Sequence, residues 1–162
     1  MTTNHEPIRD IAYLAHIELL TPKPNESLAF FHDLLGMEVV HREGKSVFLR
    51  GWGDQQLYSL KLTEAGQAGL GHVGLRTYSE QALERRVIDL EKSGHGIGWT
   101  DGDYGHGRSY QFNDADGHVL EVFYEADKYL IPQHLKPGLK NQPQKFSARG
   151  ASVTQLDHIN LF

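Results

Sequence analysis

Three short apolar segments each carry a histidine at the same position, which makes them the first candidates for chemistry. Residues 14–19 read Leu-x-His-Ile-x-Leu, residues 70–75 read Leu-x-His-Val-x-Leu, and residues 156–161 return to the first pattern. The three histidines are His16, His72 and His158. Imidazole is a common ligand of iron, zinc, copper and nickel. A histidine that recurs at a fixed place in a strand-like pattern therefore predicts a repeated unit that can present metal ligands.

Glu121 adds a carboxylate to this set, in the segment Asp114-x-x-Gly117-His118-x-x-Glu121. Strand side chains alternate in direction, so two repeats paired into one curved sheet would bring Glu121 together with His16 and His72 on its concave face. Two imidazoles and one carboxylate leave positions on Fe(II) open, and the same donors hold Zn, Mn or Ni. The alternative is an ordinary ion pair of Glu121 with an arginine, for which Arg50, Arg76 and Arg108 are the candidates. The other histidines are expected at the surface or in turns: His5, His32, His41, His95, His106, His118 and His134.

The elements that would position these residues occur twice, in the order strand, helix and three strands, at about residues 13–63 and 70–124. Alternating apolar residues bounded by turn formers predict the strands, at residues 13–20, 37–41, 46–50 and 57–62, and then at 70–77, 96–100, 109–113 and 118–124. Asn25 and Ser79 are expected to cap the two helices, which end at Gly36 and Gly94. The predicted fold class is α+β, with two βαβββ repeats forming a curved mixed sheet.

The composition limits the kinds of partner that the protein could bind and the cellular compartments in which it could be located. The chain has 162 residues and a formal net charge of −5, which argues against a nucleic-acid surface. It contains no cysteine, so disulfides and thiolate metal sites are excluded. The N-terminus does not have the pattern of a signal peptide, and no apolar run approaches the roughly 18 residues of a membrane span. These features predict a cytoplasmic protein with neither nucleic acid nor membrane as a partner.

The last part of the chain differs in kind from the repeats. Residues 127–155 contain three prolines among polar residues and show little periodicity, which is typical of an extended linker. We therefore expect an N-terminal domain at residues 1–126, a linker at 127–155, and at 156–162 the first strand of a truncated further domain. The chain would then be the first part of a longer protein.

Several motifs in this order resemble those of a known superfamily. The paired repeats, Gly71-His72-Val73 and Asp114-x-x-Gly117-x-x-x-Glu121 resemble the vicinal oxygen chelate superfamily, whose fold is shared by glyoxalases, bleomycin resistance proteins and extradiol dioxygenases. A second set is similar to type I extradiol dioxygenases of the catechol 2,3-dioxygenase kind: Ala15 to Leu20, Phe30-Phe31-x-x-Leu34-Leu35-Gly36, Tyr58 to Leu62, Gly105-His106-Gly107 and Leu156-Asp157-His158-Ile159-Asn160.

The resemblance implies an Fe(II) enzyme that converts catechol-type aromatics and O₂ to muconic semialdehydes, acting with its own C-terminal domain and as a homo-oligomer. The iron would lie in the C-terminal domain, bound by two histidines and a glutamate. His158 matches the first of these ligands, and the others would lie beyond Phe162. No catalytic set is then complete in this chain, which alone would be inactive.

The resemblance also implies an N-terminal domain without bound metal. This chain departs from that pattern because it retains His16, His72 and Glu121, a possible vestigial metal site. Two alternatives stay open. One is a stand-alone metal-dependent homodimer like glyoxalase or fosfomycin-resistance enzymes, which would use these three residues. The other is a metal-free module that binds small molecules.

Overall fold

The computed structural model describes residues 9–140, 142–146 and 148–161, whose central feature is an eight-stranded sheet. The strands are β1 (Ile11–Thr21), β2 (Glu38–Glu43), β3 (Ser46–Arg50), β4 (Leu60–Glu64), β5 (Gly69–Thr77), β6 (Gly96–Thr100), β7 (Ser109–Asn113) and β8 (Val119–Phe123). The helices are α1 (Pro24–Leu28), which continues as a π-helix (Ala29–Leu34), α2 (Glu80–Ser93), and a 3₁₀ turn (Gln133–Leu135).

The strand order β2-β3-β4-β1-β5-β8-β7-β6 divides the sheet into two similar halves. In each half the first strand pairs in parallel with the last, as β1 with β4 and β5 with β8, and the remaining pairs are antiparallel. The halves meet where β1 and β5 run antiparallel, with Ile17 opposite Val73. The predicted fold class is confirmed: two βαβββ modules form one curved mixed sheet.

Each module has its own apolar cluster, in which its helix packs against its strands. In the second module Leu83 and Val87 of α2 pack with Tyr110 and Val122 of the sheet. The predicted cap of α2 is confirmed, because the Ser79 hydroxyl accepts a hydrogen bond from the Ala82 amide at 3.0 Å. Its predicted end is confirmed too, since Gly94 adopts the left-handed conformation that glycine tolerates best. No helix in the described part of the chain is both long and apolar enough to span a bilayer.

The first module differs from the sequence-based expectation at its helix. Asn25 does not cap α1, because the helix begins at Pro24 and Lys23 occupies the capping position without a side-chain bond. Proline suits a first helical turn, where a missing N–H costs nothing. The helix then widens into a π-helix, in which the Leu35 amide bonds to the Phe30 carbonyl at 3.0 Å. The fourth strand of this module also differs from the prediction. It was expected to begin at Leu57, but β4 begins at Leu60, where its pairing with the neighbouring strands starts.

The segment at residues 127–155 returns to the first module. Its described residues form no helix or strand apart from the 3₁₀ turn and an isolated β-bridge at Lys128. The Gln144 side chain is fully buried against the Arg50 guanidinium at 3.1 Å. Backbone bonds continue this attachment, for example from the Gly53 amide to the Thr154 carbonyl at 2.7 Å. The predicted boundaries of domain and linker stay predictions.

The third histidine segment also lies against the first module. Leu156, Ile159 and Leu161 pack on its apolar cluster, and residues 156–161 form no strand in this structure. The predicted strand would also include Phe162, which lies outside the described residues. The first strand of a further domain at residues 156–162 therefore stays a prediction.

Arg50 gives the first testable prediction, because it is fully buried and links β2, the loop after β3 and the linker. Its guanidinium donates to Glu38 at 3.1 Å and to the backbone carbonyl of Asp54, and it stacks 3.8 Å from the Tyr129 ring centre. We expect Arg50→Met to lower the free energy of unfolding by roughly 3 kcal/mol, because it leaves buried acceptors without a donor. Urea denaturation measures the loss.

The matched control is Arg42→Met, on exposed β2 surface, where a change within about 0.5 kcal/mol is expected. Equal stabilities for the two variants would contradict the role assigned to Arg50.

Candidate metal centre between the two modules

The concave face of the sheet brings the three predicted donors together at the junction of the modules. His16 lies on β1, His72 on β5 and Glu121 on β8, and all three are buried. The His16 and His72 Nε2 atoms are 3.0 Å apart. Glu121 Oε1 lies 3.2 Å from His16 Nε2 and 3.5 Å from His72 Nε2. The structure thus places two imidazoles and one carboxylate around a common point.

A fourth donor is His106, which was expected at the surface or in a turn; it lies in the predicted loop before β7, but it is not a surface side chain. Its side chain is only 2% exposed, and its Nε2 lies 3.4 Å from Glu121 Oε1. The donor atoms of His16, His106 and Glu121 all lie within 4.8 Å of one another. We call His16, His72, His106 and Glu121 the donor cluster. The missed signal is the flanking pair of glycines, which let this loop pack closely on neighbouring loops: a Cβ on Gly105 would lie 3.1 Å from Leu57, and one on Gly107 would lie 2.5 Å from Glu125.

Outward hydrogen bonds orient three of the four donors. His72 Nδ1 lies 2.9 Å from Glu18 Oε2, and His106 Nδ1 lies 2.9 Å from the Gly107 carbonyl. Because both partners can only accept, each Nδ1 carries the hydrogen, and in the neutral ring Nε2 presents a lone pair to the cluster. The Ser109 hydroxyl donates to Glu121 Oε2 at 2.7 Å and leaves Oε1 facing the imidazoles.

Two glycines of β5 make room for these side chains. A Cβ on Gly74 would lie 2.2 Å from His16 Cε1, and one on Gly71 would lie 2.3 Å from Glu18 Oε2. Aromatic rings close the other side, with Phe123 stacked 4.3 Å from the His106 ring and Tyr58 lying 4.9 Å from the His16 ring. The adjoining cavity holds only about 10 Å³, which is the least that accommodates one water.

Charges in the cluster are strongly coupled. Burial lowers the pKa of His16 to about 4. Burial also opposes charge on His72, but the carboxylates of Glu121 and Glu18 outweigh it and raise the pKa of His72 to about 9. Burial disfavours an ionised Glu121, yet its contacts with the two histidines hold the pKa of Glu121 far below its usual range. The directions of these shifts favour a protonated His72 beside an ionised Glu121 near neutral pH.

The alternative ion pairs weighed from the sequence do not form. Arg50 pairs with Glu38, Arg76 bonds to the Tyr124 carbonyl, and Arg108 pairs with Glu84. The partners of Glu121 are instead the histidines and Ser109.

Register shows how the two modules differ at equivalent positions. In the second module, Gly74 on β5 pairs with Glu121 on β8. The residue of the first module that is equivalent to Gly74 is Glu18 on β1, and it pairs with Lys61 on β4. Lys61 therefore occupies in the first module the place that Glu121 occupies in the second. Its ammonium lies 3.3 Å from Glu18 Oε1 and also pairs with Asp103.

His158 lies apart from the donor cluster. Its side chain is 80% exposed, and its partner is the neighbouring Asp157 at 3.3 Å. The described residues do not surround His158 with a set that could hold a catalytic metal. Its role as the first ligand of a further domain stays a prediction.

Comparison with known proteins places this arrangement in a family. Residues 13–122 match the model of the Glyoxalase/Bleomycin resistance protein/Dioxygenase superfamily. The chain belongs to this superfamily. The resemblance noted in the sequence is thereby confirmed, and the matched residues span both modules and three strands of the donor cluster.

Two relatives match nearly the whole of this chain. Metapyrocatechase of Geobacillus stearothermophilus is 56% identical over 156 residues, which are 96% of this chain and 48% of that protein. A manganese-dependent 2,3-dihydroxybiphenyl 1,2-dioxygenase of Geobacillus genomosp. 3 is 32% identical over 94% of this chain and 49% of that protein. The chain spans about half the length of these relatives.

Solved structures support the fold. A variant of homoprotocatechuate 2,3-dioxygenase from B. fuscum superposes with a TM-score of 0.70 at 24% identity, covering 76% of this chain and 35% of that chain. At this identity the likeness concerns the superfamily fold.

The packing of the His16 ring on Gly74 gives the second prediction. We expect Gly74→Ala to lower the free energy of unfolding by about 1–3 kcal/mol, because the new methyl group overlaps the buried ring. Gly69→Ala is the matched control in the same strand, where a Cβ would meet nothing within 4 Å. Urea denaturation of both variants checks this, and an unchanged Gly74→Ala would show that the ring does not need the space.

Proposed function

We propose that this chain is the N-terminal portion of a metal-dependent extradiol dioxygenase that cleaves catechol-type aromatics with O₂ to muconic semialdehydes. The observation that carries the proposal is the 56% identity to metapyrocatechase, a catechol 2,3-dioxygenase, over 96% of this chain. The same region spans only 48% of that relative. A second half of similar size would then contain the catalytic metal and the substrate pocket.

The metal proposed for that second half is Fe(II). Two histidines and one carboxylate leave positions for both a catecholate and O₂, and this set is typical of Fe(II) oxygenases. Manganese is the competing metal, because the relative that is 32% identical is manganese-dependent. Among the described residues, those around His158 do not complete such a set, so no catalytic step is assigned to this chain.

The contribution of this chain to the enzyme is structural. Phe123 and Tyr58 pack on the donor cluster, and the cavity of about 10 Å³ beside His16 is too small for a catechol ring. The wider cavity of about 550 Å³ on the other side of His106 is not lined by His16, His72 or Glu121. This packing argues against the alternative of a stand-alone glyoxalase-like or fosfomycin-resistance-like enzyme, whose metal must face a substrate. The proposed partners are therefore the enzyme's own second half, further copies of the same protein, a catecholic substrate and O₂.

The third prediction tests the enzyme as a whole. We expect the gene to continue past the codon for Phe162 into two more βαβββ modules, with a histidine and a glutamate at positions like those of His72 and Glu121. The encoded longer protein should consume O₂ with catechol and form a product that absorbs near the visible range. An open reading frame that ends just after Phe162 would contradict the proposal.

His158→Ala in the longer protein gives the fourth prediction. The rate of ring cleavage should fall at least about 100-fold, and the catalytic metal should be lost. The fall should exceed that caused by substituting a hydrogen-bond partner of a metal ligand, because the ligand itself is removed. His134→Ala is the matched control, because His134 is exposed in the linker and should retain full activity. Catechol turnover that survives His158→Ala would remove His158 from the catalytic site.

A further inference from the structure

We propose that a groove on the first module holds residues 149–154 in one place and thereby positions His158, which follows four residues later, for the metal site of the second half. Three glycines line this groove, Gly36, Gly51 and Gly53. We call them the glycine groove and residues 149–154 the strap. The inference rests on the proposed function, because it needs a second half in which His158 binds the metal.

The glycine groove lets the backbone of the strap come close to the backbone of the module. A Cβ on Gly36 would lie 2.0 Å from the Arg149 carbonyl oxygen, and one on Gly51 would lie 2.4 Å from the Thr154 carbonyl oxygen. A Cβ on Gly53 would lie 2.5 Å from the Thr154 methyl group. These distances are shorter than nonbonded contacts allow, so a larger residue in the groove would displace the strap.

Backbone conformation does not explain two of the three glycines. Gly36 has a φ of +80°, which glycine tolerates best wherever it occurs. Gly51 and Gly53 do not have a positive φ, so their φ angles are open to alanine. What these two positions lack is room for a Cβ, because the strap fills the space.

Backbone hydrogen bonds hold the strap in the groove. The Ala151 amide donates to the Leu34 carbonyl at 2.8 Å. The Val153 amide donates to the Leu35 carbonyl at 3.1 Å, and the Val153 carbonyl accepts from the Trp52 amide at 3.2 Å. Because backbone groups make these bonds, they fix the path of the chain rather than the direction of single side chains.

Side chains of the module fix the conformation of the strap. The Arg149 guanidinium lies 3.1 Å from His32 Nε2 and donates to the Met37 carbonyl. The Trp52 indole N–H donates to the Ser152 carbonyl at 3.1 Å. In the described part of the chain, Ser152 is the one residue other than glycine with a positive φ, at +56°. Such a conformation persists only where its surroundings enforce it, so the strap is held in one shape.

A fixed strap limits where His158 can lie. Four residues separate it from Thr154, and four extended residues span at most roughly 14 Å. Leu156, halfway along, packs on the apolar cluster of the first module and reduces this reach further. A displacement of about 1 Å in a catalytic site can lower the rate about 100-fold. Gly51 and Gly53 are therefore positioning residues for His158.

Hydrogen exchange in the 162-residue chain tests the groove. In Gly51→Ala, the amides of Ala151 and Val153 should exchange at least about 10-fold faster, because the displaced strap loses its acceptors. Amides that pair β1 with β5 should keep their protection, which shows that the modules stay folded. Gly66→Ala is the matched control, since a Cβ there would meet nothing within 4 Å. Protection of Ala151 and Val153 that survives Gly51→Ala would overturn the proposal.

Trp52→Phe tests the same contact without adding an atom to the groove. It removes the indole N–H that bonds to the Ser152 carbonyl and keeps an aromatic ring. Exchange of the Ala151 and Val153 amides should rise about 5-fold, as expected for one lost hydrogen bond. Unchanged exchange in this variant would also overturn the proposal.

The longer protein tests the positioning of His158. Gly51→Ala should raise the rate at which bound metal is lost to a chelator by at least about 10-fold, and should lower kcat more than it raises KM for catechol. A loss of stability alone would reduce the number of folded molecules without changing metal loss from those that remain. Gly66→Ala should match the unchanged protein in both measurements.

Two outcomes in the longer protein separate this inference from the proposed function. Ring cleavage by the unchanged protein, together with a rate of metal loss that Gly51→Ala leaves unaltered, would overturn the positioning role and leave the proposed function standing. An unchanged longer protein that binds no metal would overturn the proposed function, and the positioning of a metal ligand with it.

Discussion

The antiparallel pairing of β1 with β5 is the constraint on which the rest of the molecule depends. It joins two modules that otherwise pack around separate apolar clusters, and it centres their junction on Ile17 and Val73. A shift of one residue would turn every side chain on one strand to the opposite face. The same register that buries Ile17 against Val73 therefore also brings His16 and His72 within 3.0 Å of each other.

The part of the site that could be predicted from sequence is the part built on strands. His16, His72 and Glu121 lie in segments whose alternation indicates direction, so their convergence required only the pairing of two repeats. His106 lies in an irregular loop, where the direction of a side chain cannot be inferred from a strand or helix period. Its burial depends on the closing turn at Gly102 and Gly105, both with positive φ, and on stacking with Phe123, which only the folded chain reveals.

The first helix and the linker show the same limit for structure. Apolar spacing indicated a helix after the proline pair, but it did not indicate the widening into a π-helix at Ala29–Leu34. Residues 127–155 have the composition of a loose linker, yet Gln144 is buried against Arg50. Composition describes only the average polarity of a segment. It does not reveal that a buried arginine elsewhere in the chain needs hydrogen-bond acceptors from that segment.

Lys61 carries a consequence for how the two modules have diverged. It occupies in the first module the position of Glu121 in the second, and its ammonium sits beside Glu18. One half of the duplicated sheet thus carries a covalently attached positive charge, while the other offers a negative one. Such a pair cannot host two equivalent ions, because the lysine repels a cation from its own half. A single exchange of charge sign is therefore enough to make the two halves of a duplicated fold electrostatically different at equivalent positions.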